Sequence, residues 1–106
     1  MEHLTASEVA RRLESPAPPG VLDVREAFEV QLAPFPGAVW IPLGELTQRW
    51  QELDDERPWI VVCHHGVRSA SAAAWLEQHG EFPVLSNLRG GIEAWAREVD
   101  PSVPRY

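Results

Sequence analysis

Between the charged stretch Asp54-Asp55-Glu56-Arg57 and the polar pair His64-His65, the chain runs through Trp59, Ile60, Val61, Val62 and Cys63 without a polar interruption. A run this short and this rich in β-branched residues predicts a strand covered on both faces. The next segment is equally constraining. Five residues separate the thiol from a helix predicted over Ser69–His79, kept slim by Ala70, Ala72, Ala73 and Ala74, with Gly80 as its C′ residue.

The rest of the chain alternates in the same way. Thr5 and Glu8 have capping-box spacing, and Val9 follows Thr5 and precedes Leu13 by four residues, which predicts a helix from about Ala6 to Glu14 that Pro16, Pro18 and Pro19 close off. Val21–Val24 reads as a short buried strand, Gly37–Ile41 as another, and the segment between them as a helical turn and a proline-stiffened loop. Leu43, Leu46, Trp50 and Leu53 predict an amphipathic helix. A strand near Pro83–Asn87 and a helix whose Ile92, Trp95 and Val99 share a face complete the pattern, and the tail Asp100–Tyr106 is expected to be extended. Strands alternating with helices build an α/β fold of three layers, a central, mostly parallel sheet with helices on both faces. At 106 residues, with no second linker or repeat, residues 1–106 are expected to form one domain.

Charge and cysteine count narrow the function. Sixteen acids oppose nine bases, all arginine, for a formal charge of −7, and no basic stripe is present to hold nucleic acid. One cysteine cannot form an intramolecular disulfide, so a stapled secreted scaffold is excluded. No segment has the length and apolarity of a membrane span, and a cytoplasmic, monomeric protein is the expectation.

In a parallel sheet, binding sites form beyond the carboxyl ends of the strands, which is where Cys63 lies. A tight turn into a helix N-terminus leaves unpaired amides that make a nest for an anion, and the same field favours a thiolate. Gly66 lets such a loop close, Arg68 offers a permanent charge to an anion or a carboxylate, and Ser69 is placed to cap the helix. Against this stands the inert core cysteine, a reading that the polar Cys63-His64-His65-Gly66-Val67-Arg68-Ser69 stretch disfavours. Metal binding is not expected, since three adjacent loop residues rarely converge on one ion and His3 and His79 are isolated surface residues.

These residues resemble a known family. Val21-Leu22-Asp23-Val24-Arg25-Glu26-Ala27-Phe28-Glu29-Val30, then Pro36–Leu43, then Val61–Leu76, then Leu88–Trp95 are similar, in family order, to a single-domain rhodanese, a thiosulfate sulfurtransferase-type module. The resemblance implies a rhodanese-like fold and a sulfurtransferase that needs no cofactor. Cys63 would accept a sulfane sulfur as a persulfide from thiosulfate or a protein persulfide and pass it to a thiophilic acceptor such as cyanide or a thiol. It implies that His64, His65, Gly66, Val67 and Arg68 form the loop around that sulfur, and that Asp23 and Arg25 brace the loop as a buried pair. Gly90 and Gly91 would permit a turn, and Trp95 would pack.

The Cys-x4-Arg spacing is one residue shorter than the cradle of related phosphatases and arsenate reductases, which makes those activities the lesser expectation; a non-catalytic docking module is the other alternative. Ala33-Pro34-Phe35 stands where many members have Gly-His-Ile, which is expected to alter the rim of the site. His64, His65 and Val67 supply no fixed cation, so thiosulfate is expected to be a poor donor. The ending from Glu98 to Tyr106 resembles rhodanese modules attached to adenylating enzymes of sulfur-carrier pathways, which suggests a sulfur-carrier or persulfide protein as partner.

Overall fold

The structure, a computed structural model, describes residues 1–106. Five parallel strands form one sheet: β1 (Glu2–Leu4), β2 (Gly20–Asp23), β3 (Val39–Trp40), β4 (Trp59–Val62) and β5 (Leu85–Leu88), in the spatial order β1-β5-β4-β2-β3. The most apolar strand, β4, is central and buried at every position, as its unbroken apolar run requires.

Side-chain alternation sorts each strand into two cores. Ile60 and Val62 join Leu4, Val9, Val21, Leu88, Ile92 and Trp95 on one face, beneath α1 (Ala6–Leu13) and α5 (Gly91–Glu98). Trp59, Val61 and Cys63 join Leu22, Val24, Leu46, Ala72, Ala73 and Leu76 on the other, beneath α3 (Leu46–Arg49) and α4 (Val67–His79). The remaining helix, α2 (Ala27–Leu32), follows β2 at the carboxyl end of the sheet. No helix is long and apolar enough to cross a membrane.

Several expectations change in detail. The Thr5–Glu8 capping box forms with both hydrogen bonds, 3.2 and 3.0 Å, and α1 ends at Leu13 with Glu14 as cap. The segment Leu43–Leu53 is not one α-helix: Leu43–Glu45 and Trp50–Glu52 are 3₁₀ turns flanking the single α turn of α3. Its apolar spacing explains this, because Leu43 to Leu46 and Trp50 to Leu53 are three apart, the 3₁₀ period, whereas Leu46 to Trp50 is four. The strand expected over Gly37–Ile41 shortens to the half-exposed edge pair Val39–Trp40.

Helix α4 begins at Val67, two residues earlier than expected, with Gly66 rather than Ser69 as its cap. Ser69 is buried inside the first turn, and its hydroxyl points sideways. Gly80 ends α4 as its cap in extended conformation, not as a left-handed C′ residue. Ala33 and Phe35 do not form a rim. Both are buried, with the Phe35 ring 4.8 Å from that of Trp95.

Candidate active site

Cys63 follows β4 directly, and its sulfur is almost fully covered, with 1% of the residue exposed. The loop amides are aimed at it. Gly66 N–H donates to Sγ at 3.1 Å and Ser69 N–H at 3.3 Å, while the Ser69 hydroxyl lies 3.3 Å away. Two N–H donors at the N-terminus of a 13-residue helix converge on one sulfur. The amides are thus spent on the sulfur itself rather than left open.

The loop can point its amides inward because its carbonyls are held from behind. Ile92 N–H donates to Cys63 O at 2.8 Å and Glu93 N–H to His64 O at 3.1 Å, so the free N–H groups of α5 take up the carbonyls of the loop. Such a close approach demands glycine. Gly91 has φ +60°, and a Cβ there would sit 2.3 Å from His64 O and 2.4 Å from Cys63 O. Gly66, at φ +93°, turns the loop into α4.

A second polar cluster fixes the helix side. Ser69 Oγ donates to Asn87 Oδ1 on β5, and Asn87 Nδ2 in turn donates to Gly66 O at 3.2 Å and approaches His3 Nδ1 at 3.1 Å. With its proton given to Asn87, Ser69 Oγ is left as an acceptor facing the thiol. Exposed His3, expected to be isolated, therefore touches the outer end of this cluster.

Arg68 does not open toward an anion. Its two terminal nitrogens bind both oxygens of Glu29, 2.7 and 2.8 Å. Glu29 also accepts from Glu26 N–H at 3.0 Å and from the Tyr106 hydroxyl at 3.0 Å, which makes four hydrogen bonds to one carboxylate. These contacts, led by Arg68, hold the Glu29 carboxyl down to about 2.

Asp23 and Arg25 form a buried pair, 1% and 0% exposed, with Nη2 to Oδ2 at 2.8 Å. Arg25 also donates to Ala33 O at 2.7 Å and to the Tyr106 hydroxyl at 2.9 Å, so the pair reaches the loop only through Tyr106 and Glu29. The Tyr106 ring stacks on His64 at 3.9 Å, and His64 stacks on His65 at 3.8 Å. His64 Nε2 is buried without a partner, and burial first, then His65, pushes the His64 imidazole below its ordinary value.

Of the residues expected at the site, Cys63, Gly66 and Ser69 meet at the sulfur. His64 and Arg68 face away into Tyr106 and Glu29, and His65 and Val67 are exposed. Glu29, Asn87 and Tyr106 join them from distant segments. A groove of about 580 Å³ lies elsewhere, between α1 and the start of β4.

The rhodanese-like domain family matches residues 5–98. The chain belongs to the rhodanese family. Relatives of this rhodanese domain include a sulfurtransferase of Allochromatium vinosum, 33% identical over 103 residues, covering 97% of this chain and 95% of the relative. A Bacillus subtilis protein named as a sulfur carrier is 34% identical over 90 residues, covering 85% of this chain and 48% of its own length. The rhodanese-related protein of Thermoplasma volcanium has a similar crystal structure, with a TM-score of 0.83 at 30% identity, covering 98% of this chain and 96% of that one. The chain spans 30% and 48% of the length of two curated relatives it matches, and 95–96% of two others.

Proposed function

We propose that this rhodanese domain is a sulfurtransferase that carries sulfane sulfur on Cys63. The observation that supports it most is the convergence of the Gly66 and Ser69 amides on Sγ, at 3.1 and 3.3 Å. They donate to the sulfur that must attack, and after loading they face a persulfide whose negative charge has moved one atom outward.

Both half-reactions balance without a metal, an organic cofactor or net oxidation. The Cys63 thiolate attacks the outer sulfur of the donor, and the donor's S–S bond breaks with its electron pair staying on the leaving group. That group is sulfite from thiosulfate, or a thiolate from a persulfide. An acceptor thiolate, or cyanide, then attacks the terminal sulfur of the Cys63 persulfide and returns the thiolate. The relative named as a sulfur carrier and the resemblance of the tail support a protein persulfide or carrier as partner. A free thiol doing this work suits a reducing compartment such as the cytoplasm.

The test is intact-mass measurement after exposure to thiosulfate, a small persulfide and a cysteine-desulfurase persulfide. One added sulfur on the wild-type chain, removed by cyanide and absent from a folded Cys63→Ser variant, is the expected result. A wild-type chain that gains no sulfur from any of the three defeats the reading.

A further inference from the structure

We infer that Glu29 sets the donor class: by occupying Arg68 it leaves Cys63 without a fixed free cation, so this domain takes sulfur from a persulfide of low charge in preference to thiosulfate. This rests on the Cys63 persulfide reading above.

Arg68 is the one arginine in the active loop, and both of its terminal nitrogens are bound by Glu29. The carboxylate is itself immobile, because four donors saturate it and its side chain is 5% exposed against 34% for Arg68. An opposed, doubly bonded pair presents almost no net charge to a third group. Arg25, the other arginine near the loop, is matched in the same way by Asp23. Arg89, after β5, is exposed, and no side-chain hydrogen bond or ion pair fixes it, so water screens what it offers.

The donors differ in what leaves. Thiosulfate is a dianion, and attack on its outer sulfur expels sulfite carrying two negative charges, which calls for a cation beside the thiol. A persulfide R–S–SH expels R–S⁻, with one charge and an R group that can be apolar. The surroundings suit the second. Val67 in the loop is 74% exposed and Phe28, next to Glu29, is 62% exposed, while the chain as a whole carries −7 and repels a dianion. A small thiol and a protein cysteine can both supply this chemistry.

The experiment measures single-turnover loading of Cys63 by intact mass from thiosulfate, from the persulfide of N-acetylcysteine methyl ester, and from a cysteine-desulfurase persulfide. Wild type loads from at least one persulfide faster than from thiosulfate, and the faster persulfide identifies the source. Glu29→Gln frees Arg68 and raises the thiosulfate-to-persulfide ratio by about fivefold, the upper scale of one partly exposed charge contact. Adding Arg68→Gln to it removes the gain. If Glu29→Gln does not fold, Val67→Lys, which changes only an exposed side chain, decides by raising the same ratio.

An unchanged ratio in the deciding variant overturns the inference, as does a wild type that prefers thiosulfate. Loss of thiosulfate loading in Arg89→Gln also overturns it, by making Arg89 the free cation. Failure of Cys63 to load from every donor defeats the sulfurtransferase reading itself, whereas loading with an unmoved ratio defeats only the assignment to Glu29.

Discussion

The Tyr106 ring lies flat on the His64 imidazole, 3.9 Å between centroids and 17° between planes, and its hydroxyl closes a polar chain from Arg25 to Glu29. The tail from Asp100 onward is therefore part of the site's support, pinned also by buried Val103. Removing only the hydroxyl, in Tyr106→Phe, strands one Arg25 proton and one Glu29 lone pair and costs about 1–3 kcal/mol of stability. Tyr106→Ala also loses the stack, a further ~0.5–1.5 kcal/mol. Urea unfolding followed by tryptophan fluorescence measures both. Proton NMR titration adds a local readout: in Tyr106→Ala, His64 loses its cover and its pKa rises toward the ordinary histidine value, because burial is the leading cause of its depression. An unmoved His64 titration would show that the ring gives no cover in solution.

What the sequence revealed and what it hid divide along contact range. The β4–loop–α4 unit was readable because its signals are consecutive: an apolar run, a thiol, a glycine and a slim helix between Trp59 and His79. β1 was not, because three residues with one buried position carry no periodicity, and pairing with β5 some 80 residues away defines the strand. Ser69 was misread for a related reason. Its type and position fit a cap, yet Gly66 reaches the left-handed turn first, which leaves the hydroxyl free to bridge Cys63 and Asn87. Glu29 and Tyr106 act through each other and through Arg68 across 39 and 77 residues, beyond any local pattern. Asn87 did leave a trace: a polar amide next to Leu88 at the carboxyl end of a buried strand asks for a buried partner.

Gly91 offers the sharpest test of how the loop is shaped. A methyl group there meets the backbone oxygens of Cys63 and His64 at 2.3–2.4 Å, and the positive φ adds backbone strain, so neither rotamer change nor side-chain movement relieves the clash. Either the α5 amides retreat or the loop does. Gly91→Ala is expected to lose about 2–4 kcal/mol of stability, from roughly 1–3 for strain plus weakened hydrogen bonds. Whatever folded fraction remains should load sulfur at least tenfold more slowly, because the carbonyl contacts that turn the Gly66 and Ser69 amides toward Sγ are displaced. Thermal unfolding and loading measured on the same sample separate the two effects. Full-rate loading by a destabilised variant would mean that α5 supports the fold but not the direction of the amides.

Acid stability isolates the Glu29–Arg68 pair. Glu29 titrates at about 2 in the folded chain against 4.5 as its ordinary value, so between those limits the unfolded chain binds more protons than the folded one. Stability from this group is complete above about pH 5.5 and is lost as pH falls through 4.5 toward 2. Other carboxylates held low by arginines or caps, Glu2, Glu8, Glu52 and Glu93, push in the same direction. Subtracting a Glu29→Gln profile cancels them. The difference between wild type and variant should be flat from pH 7 to 5.5 and then shrink by about 1–3 kcal/mol by pH 2.5, a range set by the partial exposure of Arg68. Urea midpoints across that range provide the measurement. A difference that stayed constant down to pH 2.5 would mean that the carboxylate gains nothing from its four donors, and the neutralised Arg68 on which the donor preference depends would lose its footing.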